Sequence, residues 1–545
     1  MHMNDPVTEL RAAIEAAATT LGAGGSEPAL ERPPKPEFGD YSTNAAMLLA
    51  PTLGEKPRAV AEQLATKLRS ELGDGLDRVE VAGPGFLNLF LSDGWYREAA
   101  SALAAAGEQL GRPAATGPGE RVLVEFVSAN PTGPLTAAGG RHAAYGDSVA
   151  RLLEACGEAV EREYYVNDTG GQVDRFALSI AARMQGEKVP EDGYEGEYVR
   201  ELTDRLSAEG ARSDDLEELG RRGAELMRAE AEQTLRRYGV EFDNWVSERE
   251  LHGAGGAIER ALADLRETGH VYASEGATWL RTTSFGDDKD RVLVRSEGES
   301  TYYLADIAYH RDKLQRGADR LIDVLGADHH GYVGRLKAGL EALGLDSDRL
   351  EIAIMQLVHV VEGGERAQMS KRKGEFVTLD ELIDDIGADA ARFFMLQRSH
   401  DTTVDLDLEL ARRQSNENPV YYVQYAHARI ASILRKAGMG ASGRAPGSDV
   451  PAATSPLEPA ERALIRRLLE FPSAVREAAA RRAPHRLCAY AMASAADFHA
   501  FYRDCKVVGA AGEGVEAERI RLCLLTKRTI AQALGLLGIG APDRM

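Results

Sequence analysis

A short proline-containing loop between an apolar run and a helical run constrains the fold more than any other stretch. The loop is Asn130-Pro131-Thr132-Gly133-Pro134. Its two prolines lack an amide donor and restrict the residues before them, so the loop excludes regular structure. Before the loop, Val122 to Val127 is mostly apolar and β-branched, which is typical of a buried strand. After it, a helical pattern begins near Gly140, and Val160 to Val166 predicts a second strand.

The order strand, loop, helix, strand predicts an α/β fold with a doubly wound parallel sheet of the Rossmann type. In such a sheet the loop and the helix N-terminus lie at the carboxyl edge, where free backbone amides can hold phosphate. Gly139 and Gly140 would let a phosphate approach the backbone closely. From the loop's position alone, an ordinary strand–helix–strand unit that binds nothing remains an equal alternative.

Composition sets the broad class of the chain. With 545 residues, 44% hydrophobic and 28% charged, it is typical of a globular protein of about three domains. No apolar run approaches the roughly 20 residues that a membrane span needs, and the first residues do not resemble a secretion signal. The four cysteines form no CxxC pair, so we expect free thiols, no metal site and a cytoplasmic location.

The net charge of −21 comes from 86 acidic and 65 basic residues. Nucleic-acid binders are more often basic, so this charge counts mildly against such a partner. It is a weak test, because phosphate contacts need only a local basic patch. An acidic body suits a cationic substrate, although acidic proteins are often simply more soluble.

Two later stretches also carry residues suited to chemistry. Gln368-Met369-Ser370-Lys371-Arg372-Lys373-Gly374 places cations in a glycine-flanked segment, where a mobile cation could stabilise a leaving phosphate. An ordinary solvated loop would have the same composition. Asp328-His329-His330 follows a strand-like run and so falls at the same sheet edge. Because adjacent histidines point in different directions and no third ligand is suitably spaced, we expect no metal there.

These stretches resemble the arginyl-tRNA synthetases, a family of class I aminoacyl-tRNA synthetases. Ser128 to Leu135 reads Ser-Ala-Asn-Pro-Thr-Gly-Pro-Leu, which matches the family's Ser-x-Asn-Pro-Thr-Gly-Pro-Leu. The family continues with His-x-Gly-His, whereas this chain has Thr136-Ala137-Ala138-Gly139 and lacks both histidines. Met369-Ser370-Lys371 matches the last three positions of the family's Lys-Met-Ser-Lys signature.

The resemblance implies that arginine reacts with Mg²⁺-bound ATP and that the adenylate then acylates tRNA(Arg). It implies catalytic roles for Lys371, Thr136 and Gly139. The implied ATP contacts are Pro134, Gly139, Gly140, Asp328, His329, Met369, Ser370 and Lys371. The implied arginine contacts are Glu125, Ser128, Asn130, Tyr302, Asp306 and His329. The implied tRNA contacts are Asn44, Phe86, Asn418, Tyr421, Tyr425, Arg429 and Met545.

The same resemblance divides the chain into three parts. Residues 1–115 would form an α+β domain that binds the tRNA elbow, separable at a Gly/Pro-rich linker. Residues 116–404 would form the catalytic domain, with a solvated helical insertion at about 180–275 and the Met-Ser-Lys loop at 363–378. Residues 405–545 would be entirely helical and bind the anticodon. Several arginines there form a local basic set or pair with nearby acids: Arg462, Arg466, Arg467, Arg476, Arg481 and Arg482.

Two other functions remain open at this level. A synthetase paralogue that lost activity with its histidines would bind tRNA or a protein partner, although Lys371 and the pocket acids argue against it. Another class I ligase, specific for cysteine or glutamine, is disfavoured because a zinc-binding Cys/His set is absent and the N-terminal domain is present. The leading prediction is an arginine-charging ligase that acts as a monomer.

Overall fold

The computed structural model describes residues 5–22, 28–112, 119–253, 255–366, 377–439 and 453–545. The strands are β1 (Leu30–Glu31), β2 (Tyr41–Thr43), β3 (Leu76–Ala82), β4 (Phe86–Leu91), β5 (Arg121–Glu125), β6 (Ala159–Val166), β7 (Asn244–Ser247), β8 (Val271–Ser274), β9 (Ala277–Leu280), β10 (Arg291–Val294), β11 (Arg320–Gly326), β12 (Leu350–Met355), β13 (Val358–Glu362), β14 (Glu365–Arg366) and β15 (Val404–Asp407).

The helices of the first half are α1 (Pro6–Thr20), α2 (Ala45–Leu53), α3 (Pro57–Leu72), α4 (Asp93–Ala105), α5 (Ala137–Ala155), α6 (Gly171–Met184), α7 (Glu197–Ala208), α8 (Leu216–Arg237), α9 (Glu248–Leu251) and α10 (Ala257–Glu267). Those of the second half are α11 (Tyr302–Gln315), α12 (Val333–Ala342), α13 (Leu379–Leu396), α14 (Leu408–Arg412), α15 (Pro419–Lys436), α16 (Pro459–Leu469), α17 (Phe471–Ala480), α18 (His485–Asp504) and α19 (Val515–Leu536). Within these described ranges, no helix is long and apolar enough to cross a membrane.

Five parallel strands form the central sheet, in the order β12-β11-β5-β6-β7. The predicted parallel, doubly wound sheet is confirmed. Strand β5 lies in the middle of this sheet, and its apolar residues Val122, Leu123 and Val124 are almost fully buried there. The strand order reverses between β5 and β11, and ligands of open α/β sheets bind outside the carboxyl ends at such a switch point. Glu125 ends β5 at this position.

Two predicted elements differ from the structure. The insertion at about 180–275 is not entirely helical, because β7 lies within it and pairs with β6 as the edge of the central sheet. After the insertion, β10 pairs antiparallel with β9 in a separate three-stranded sheet. The helical C-terminal part begins only at Leu408, since β15 pairs with β13. In each case tertiary pairing decided what short apolar runs alone left ambiguous.

The N-terminal part is an α+β unit with a four-stranded sheet, β1-β2-β4-β3, covered by helices. It packs on the C-terminal helices. Arg462 contacts both Asp40 and Asp93, at 3.1 and 2.8 Å, and Arg97 contacts Glu518 at 3.0 Å. The unit is therefore held to the helical part by buried and half-buried ion pairs, and its separability near residue 115 stays a prediction.

The C-terminal helices α15 to α19 pack on one another, and their arginines are mostly paired. Arg467 contacts Glu470 and Asp497, and Arg482 contacts Glu351 of β12 at 3.0 Å. These pairs favour the interpretation that the basic set consists of helix charges matched to neighbouring acids. They also link the helical part to the sheet.

Candidate active site

The backbone is strained where β5 ends. Val127 has φ of 70° and Ser128 has φ of 38°, a region that β-branched residues strongly disfavour. Such strain costs on the order of 1–3 kcal/mol and persists only when its surroundings fix it. Here the Ser128 amide donates to the Phe126 carbonyl at 3.0 Å, and the Ser128 hydroxyl accepts from the Tyr165 amide at 3.1 Å. The strained turn brings Ser128 and the proline loop to the switch point.

Two carboxylates meet beside this turn. Asp306 lies on the second turn of α11, and Glu248 directly follows β7 and is 3% exposed. Glu248 is aimed inward because Asp168 holds the next turn, accepting from the Ser247 hydroxyl at 2.6 Å and from the Arg249 amide at 3.1 Å. Glu248 is one of the residues that the sequence interpretation missed.

Neither carboxylate has a lysine or arginine partner within 4 Å among the described residues. The Tyr332 hydroxyl donates to Asp306, and the nearest basic side chain to Glu248 is His252, at 3.5 Å. Burial raises the pKa of Asp306 and also that of Glu248, and the charge of Asp306 raises the Glu248 pKa further. Two buried acids without a cation form a site that favours a cationic ligand.

Glu125 has a different environment. Its Oε2 lies 2.5 Å from the ammonium of Lys313, and its Oε1 accepts from the Ser128 hydroxyl at 2.8 Å. Lys313 already pairs with Glu125, whereas Asp306 has no lysine or arginine within 4 Å among the described residues. The arginine contact implied for Glu125 stays a prediction.

The N-terminus of α5 forms the other side of the site. Thr136 is its N-cap, and the Thr136 hydroxyl oxygen accepts from the Gly139 amide at 3.4 Å. The Ala137 amide donates to the Val377 carbonyl at 3.0 Å, and within the described ranges no acceptor is present for the Ala138 amide. The start of α5 therefore leaves room and a backbone donor for an anion, and the ATP contacts implied for Thr136 and Gly139 stay predictions.

Gly140 has another role. A Cβ at this position would lie 2.7 Å from the side chain of Leu379, the first residue of α13. Gly140 is buried, so its missing side chain serves the packing of α5 on α13. The ATP contact implied for Gly140 stays a prediction.

Asp328 and His329 lie in the turn after β11, with side chains that are 84% and 50% exposed. The ring of His329 lies 3.6 Å from the carboxylate of Asp328. The charges of both side chains act on the pKa of His142 on α5. Burial, with Arg141 nearby, lowers the pKa of His142 to about 4, so its imidazole is neutral at pH 7. In the described residues no cluster of three or more side chains could hold a metal ion.

Asn130 and Tyr302 border the mouth of the pocket. The Asn130 amide donates to Gln172 on α6 at 2.8 Å. The Tyr302 side chain is 59% exposed, and its hydroxyl lies 3.1 Å from the position that a Cβ of Gly170 would take. Pro134 is half-buried just before α5. Met369, Ser370 and Lys371 lie outside the described residues, although the segment that follows them pairs with Thr136 through Thr378.

The residues predicted to contact tRNA occupy two surfaces. On α15, the rings of Tyr421 and Tyr425 stack at 6.0 Å, and the Arg429 guanidinium lies 5.1 Å from the Tyr425 ring centroid and 5.5 Å from that of Tyr502. His499 stacks on Tyr425 at 6.1 Å. His499 and Tyr502 were missed, because they come from α18.

The other predicted tRNA contacts have mixed surroundings. Phe86 and Met545 are 40% and 55% exposed and remain accessible. Asn44 is half-buried, and its side-chain oxygen accepts from the Ala29 amide at 2.9 Å. Asn418 is 4% exposed and caps α15, while its amide donates to the carbonyls of Ala411 and Arg413. The tRNA contact predicted for Asn418 is wrong, since its polar atoms are fully used inside the protein.

Three comparisons with known proteins agree with this geometry. Family models match over most of the chain: "tRNA synthetases class I (R), catalytic domain" over residues 100–430, "Arginyl tRNA synthetase N terminal domain" over 8–91, and "DALR anticodon binding domain" over 423–545. The chain is 47% identical to the arginine–tRNA ligase of Frankia alni, covering 95% of this chain and 94% of that protein. It is also 47% identical to that of Desulforudis audaxviator, covering 98% and 97%.

A solved structure of the arginyl-tRNA synthetase of Thermus thermophilus superimposes with a TM-score of 0.76 at 27% identity, covering 98% of this chain and 99% of that one. The parallel sheet, the polar residues at its switch point and the helical C-terminal part thus define a class I aminoacyl-tRNA synthetase. Within that class the chain belongs to the arginyl-tRNA synthetase family, whose activity is that of an arginine–tRNA ligase.

Proposed function

We propose that this chain activates L-arginine with ATP and transfers it to the 3′ end of tRNA(Arg), using the pocket at the carboxyl ends of β5, β6 and β7. The observation that supports this most strongly is the pair of buried carboxylates, Asp306 and Glu248, which have no lysine or arginine partner within 4 Å among the described residues. A guanidinium can satisfy both acids through its planar set of donors. An uncharged side chain would leave them unpaired.

The same geometry positions the reacting groups. With its guanidinium at Asp306 and Glu248, arginine would extend toward Ser128 and Asn130, which lie beside the start of α5. ATP phosphates at the Ala138 amide and the Thr136 hydroxyl would then approach the arginine carboxylate. Attack of that carboxylate on the α-phosphate needs little covalent help from the protein, so positioning and charge stabilisation carry the reaction.

We further propose that Lys371, with Met369 and Ser370 beside it, contacts the departing pyrophosphate, as the match to the family signature implies. Mg²⁺ would arrive bound to the ATP phosphates, since the described residues contain no metal-binding cluster of their own. We also propose that Asp328 and His329, in the turn after β11, contact ATP, and that His329 contacts arginine as well.

The tRNA would contact both ends of the chain. The stacked rings of Tyr421 and Tyr425 with Arg429 suit unpaired bases of the anticodon loop. Asn44, Phe86 and Met545 belong to the proposed tRNA surface as well. We also propose domain limits at residues 115 and 404, a monomeric state and action in the cytoplasm, as translation requires.

Arginine-dependent ATP–pyrophosphate exchange by the purified chain, measured with tRNA(Arg) present and with each amino acid in turn, tests the proposal. We expect exchange with arginine and with no other amino acid. The matched pair Tyr425→Ala and Tyr272→Ala tests the tRNA surface, since Tyr272 is an equally half-buried tyrosine far from α15 in the small antiparallel sheet. Tyr425→Ala should raise the KM for tRNA, while Tyr272→Ala should not. Exchange with another amino acid, or none at all, would refute the assignment.

A further inference from the structure

A buried ion cluster lies directly beneath the pocket. Lys313 of α11 is completely buried, with its ammonium 2.5 Å from Glu125 and 3.0 Å from Asp323. His310, one turn earlier, binds the other oxygen of Asp323 at 2.6 Å and contacts the Asp306 carbonyl at 2.7 Å. The cluster thus runs from the β5 end of the pocket to the helix that carries Asp306.

Glu125 and Asp323 occupy directly opposed positions on the neighbouring strands β5 and β11. Two like charges facing each other across a sheet repel, and in a buried sheet the repulsion is weakly screened. Lys313 lies between them and compensates both. If Lys313 served only to stabilise the fold, these two contacts would be its whole role.

The contacts of Glu125 extend the cluster into the pocket. Its second oxygen accepts from the Ser128 hydroxyl at 2.8 Å, and the Ser128 oxygen accepts from the Tyr165 amide at 3.1 Å. Ser128 is held at a strained φ of 38°. The orientation of Glu125 therefore sets the strained turn that leads into the substrate loop, and Lys313 sets the orientation of Glu125.

We propose that Lys313 is a positioning residue for arginine recognition, which acts by holding Glu125 against Ser128 and by reserving Asp306 and Glu248 for the substrate guanidinium. The inference rests on the proposed function. Of the four carboxylates, Glu125, Asp323, Asp306 and Glu248, the first two contact Lys313, with His310 also on Asp323, and the last two have no lysine or arginine partner and are left for a ligand. Without Lys313, an entering guanidinium would have a competing acid at Glu125.

The test compares Lys313→Met, Glu125→Gln and the double variant by ATP–pyrophosphate exchange with tRNA(Arg). We expect each single variant to raise the KM for arginine at least about tenfold, with the KM for ATP within about twofold of the parent. Because Lys313 acts through Glu125, the KM for arginine of the double variant should be no higher than that of the more strongly affected single variant. The matched control is Arg316→Met at the C-cap of the same helix, since the partner of Arg316, Glu163, lies 2.7 Å away and has no contact with Ser128 among the described residues.

A pH profile separates positioning from simple support of the fold. The groups that face Glu125 or its partners are Lys313, His310, Tyr309, Asp323, Glu163, Tyr165 and Ser128. In Lys313→Met, the carboxyl of Glu125 should take up a proton in the working pH range, so its arginine KM should change between pH 6 and 9. The parent and the double variant should show a flat arginine KM over this range.

If Lys313→Met fails to fold, the KM values are compared for Lys313→Arg and for the double variant. The double variant also lacks the charge of Glu125. Lys313→Arg keeps the charge and should restore folding while still raising the KM for arginine, because the larger guanidinium displaces Glu125. Additive losses in the double variant, or equal rises in the KM values for arginine and ATP, would overturn the inference while leaving the proposed function intact. A parent without arginine-dependent exchange would overturn the proposed function itself, and this inference with it.

Discussion

Asp147 on α5 and Arg392 on α13 form a buried ion pair, with Nη2 of the arginine 2.5 Å from Oδ2 of the aspartate. Arg392 also donates to the carbonyls of Leu537 and Tyr238 at 2.9 and 3.1 Å. One side chain thus joins the helix that begins at Thr136, the helix that follows the Met-Ser-Lys loop, the insertion and the end of α19. The pair fixes α5 and α13 relative to each other.

We expect Asp147→Asn to lower the free energy of unfolding by about 3–5 kcal/mol, because it leaves the Arg392 charge buried without its partner. Denaturation in urea, followed by circular dichroism, measures this. Asp147 also contacts Arg151 at 2.8 Å and Arg162 at 3.6 Å. Arg151→Ala removes the half-exposed one of these contacts and should cost no more than about 1 kcal/mol. Equal losses in the two variants would show that burial of the pair is unimportant.

Asp306→Asn and Glu248→Gln should each weaken arginine binding by about 3–5 kcal/mol, because a buried guanidinium loses one of its charged partners. ATP binding should stay nearly unchanged. Calorimetric titration with each substrate measures both, and Asp312→Asn, an aspartate on the same helix that pairs with Arg316, is the control. Arginine binding at the parent's affinity would place the pocket elsewhere.

Lys371→Ala should lower turnover by about 10²-fold or more while the arginine affinity changes little, since a loop cation that meets the leaving phosphates acts mainly in the transition state. Single-turnover formation of arginyl-adenylate measures the step. Lys337→Ala, on the half-exposed surface of α12, serves as the control for loss of a lysine. A turnover equal to the parent's would remove Lys371 from the mechanism.

The chain should be active although Thr136 and Gly139 replace the family's histidines. A lost phosphate donor costs roughly 2–4 kcal/mol, which slows a reaction without abolishing it, and the start of α5 still offers an amide and a hydroxyl. Thr136→His and Gly139→His, singly and together, should therefore change turnover without being required for it. Activity that appeared only in the histidine variants would identify an impaired synthetase.

His142 should make stability pH-dependent. Its pKa is lowered to about 4 by burial, below the unfolded value of about 6.5, so the unfolded chain binds more protons between these values. The stabilisation is fully present above pH 6.5 and is lost as the pH falls toward 4, by up to about 3 kcal/mol. As the pH falls from 6.5 to 4, the free energy of unfolding of His142→Asn, measured in urea, should therefore rise progressively relative to that of the parent. A constant difference between pH 4 and 8 would contradict the shift.

Local patterns in the sequence determined the elements around the proline loop. Two prolines forbid helix and strand, and apolar runs of the right length mark β5 and β6, so the parallel sheet and its carboxyl edge could be predicted. Asp306 was among the arginine contacts that the resemblance to the family implied. The packing role of Gly140 could not be predicted, because it depends on Leu379, which is distant in sequence.

Only the tertiary structure decided which acids are free to bind a substrate. Glu125 and Asp306 look alike in sequence, yet Lys313 neutralises one and leaves the other. Glu248 lies in a stretch whose composition indicated a solvated helix, and it reaches the site because β7 pairs with β6 at the sheet edge. A local pattern records a residue's neighbours along the chain, whereas the charge state of a buried carboxylate depends on the groups that folding brings to within a few ångströms of it.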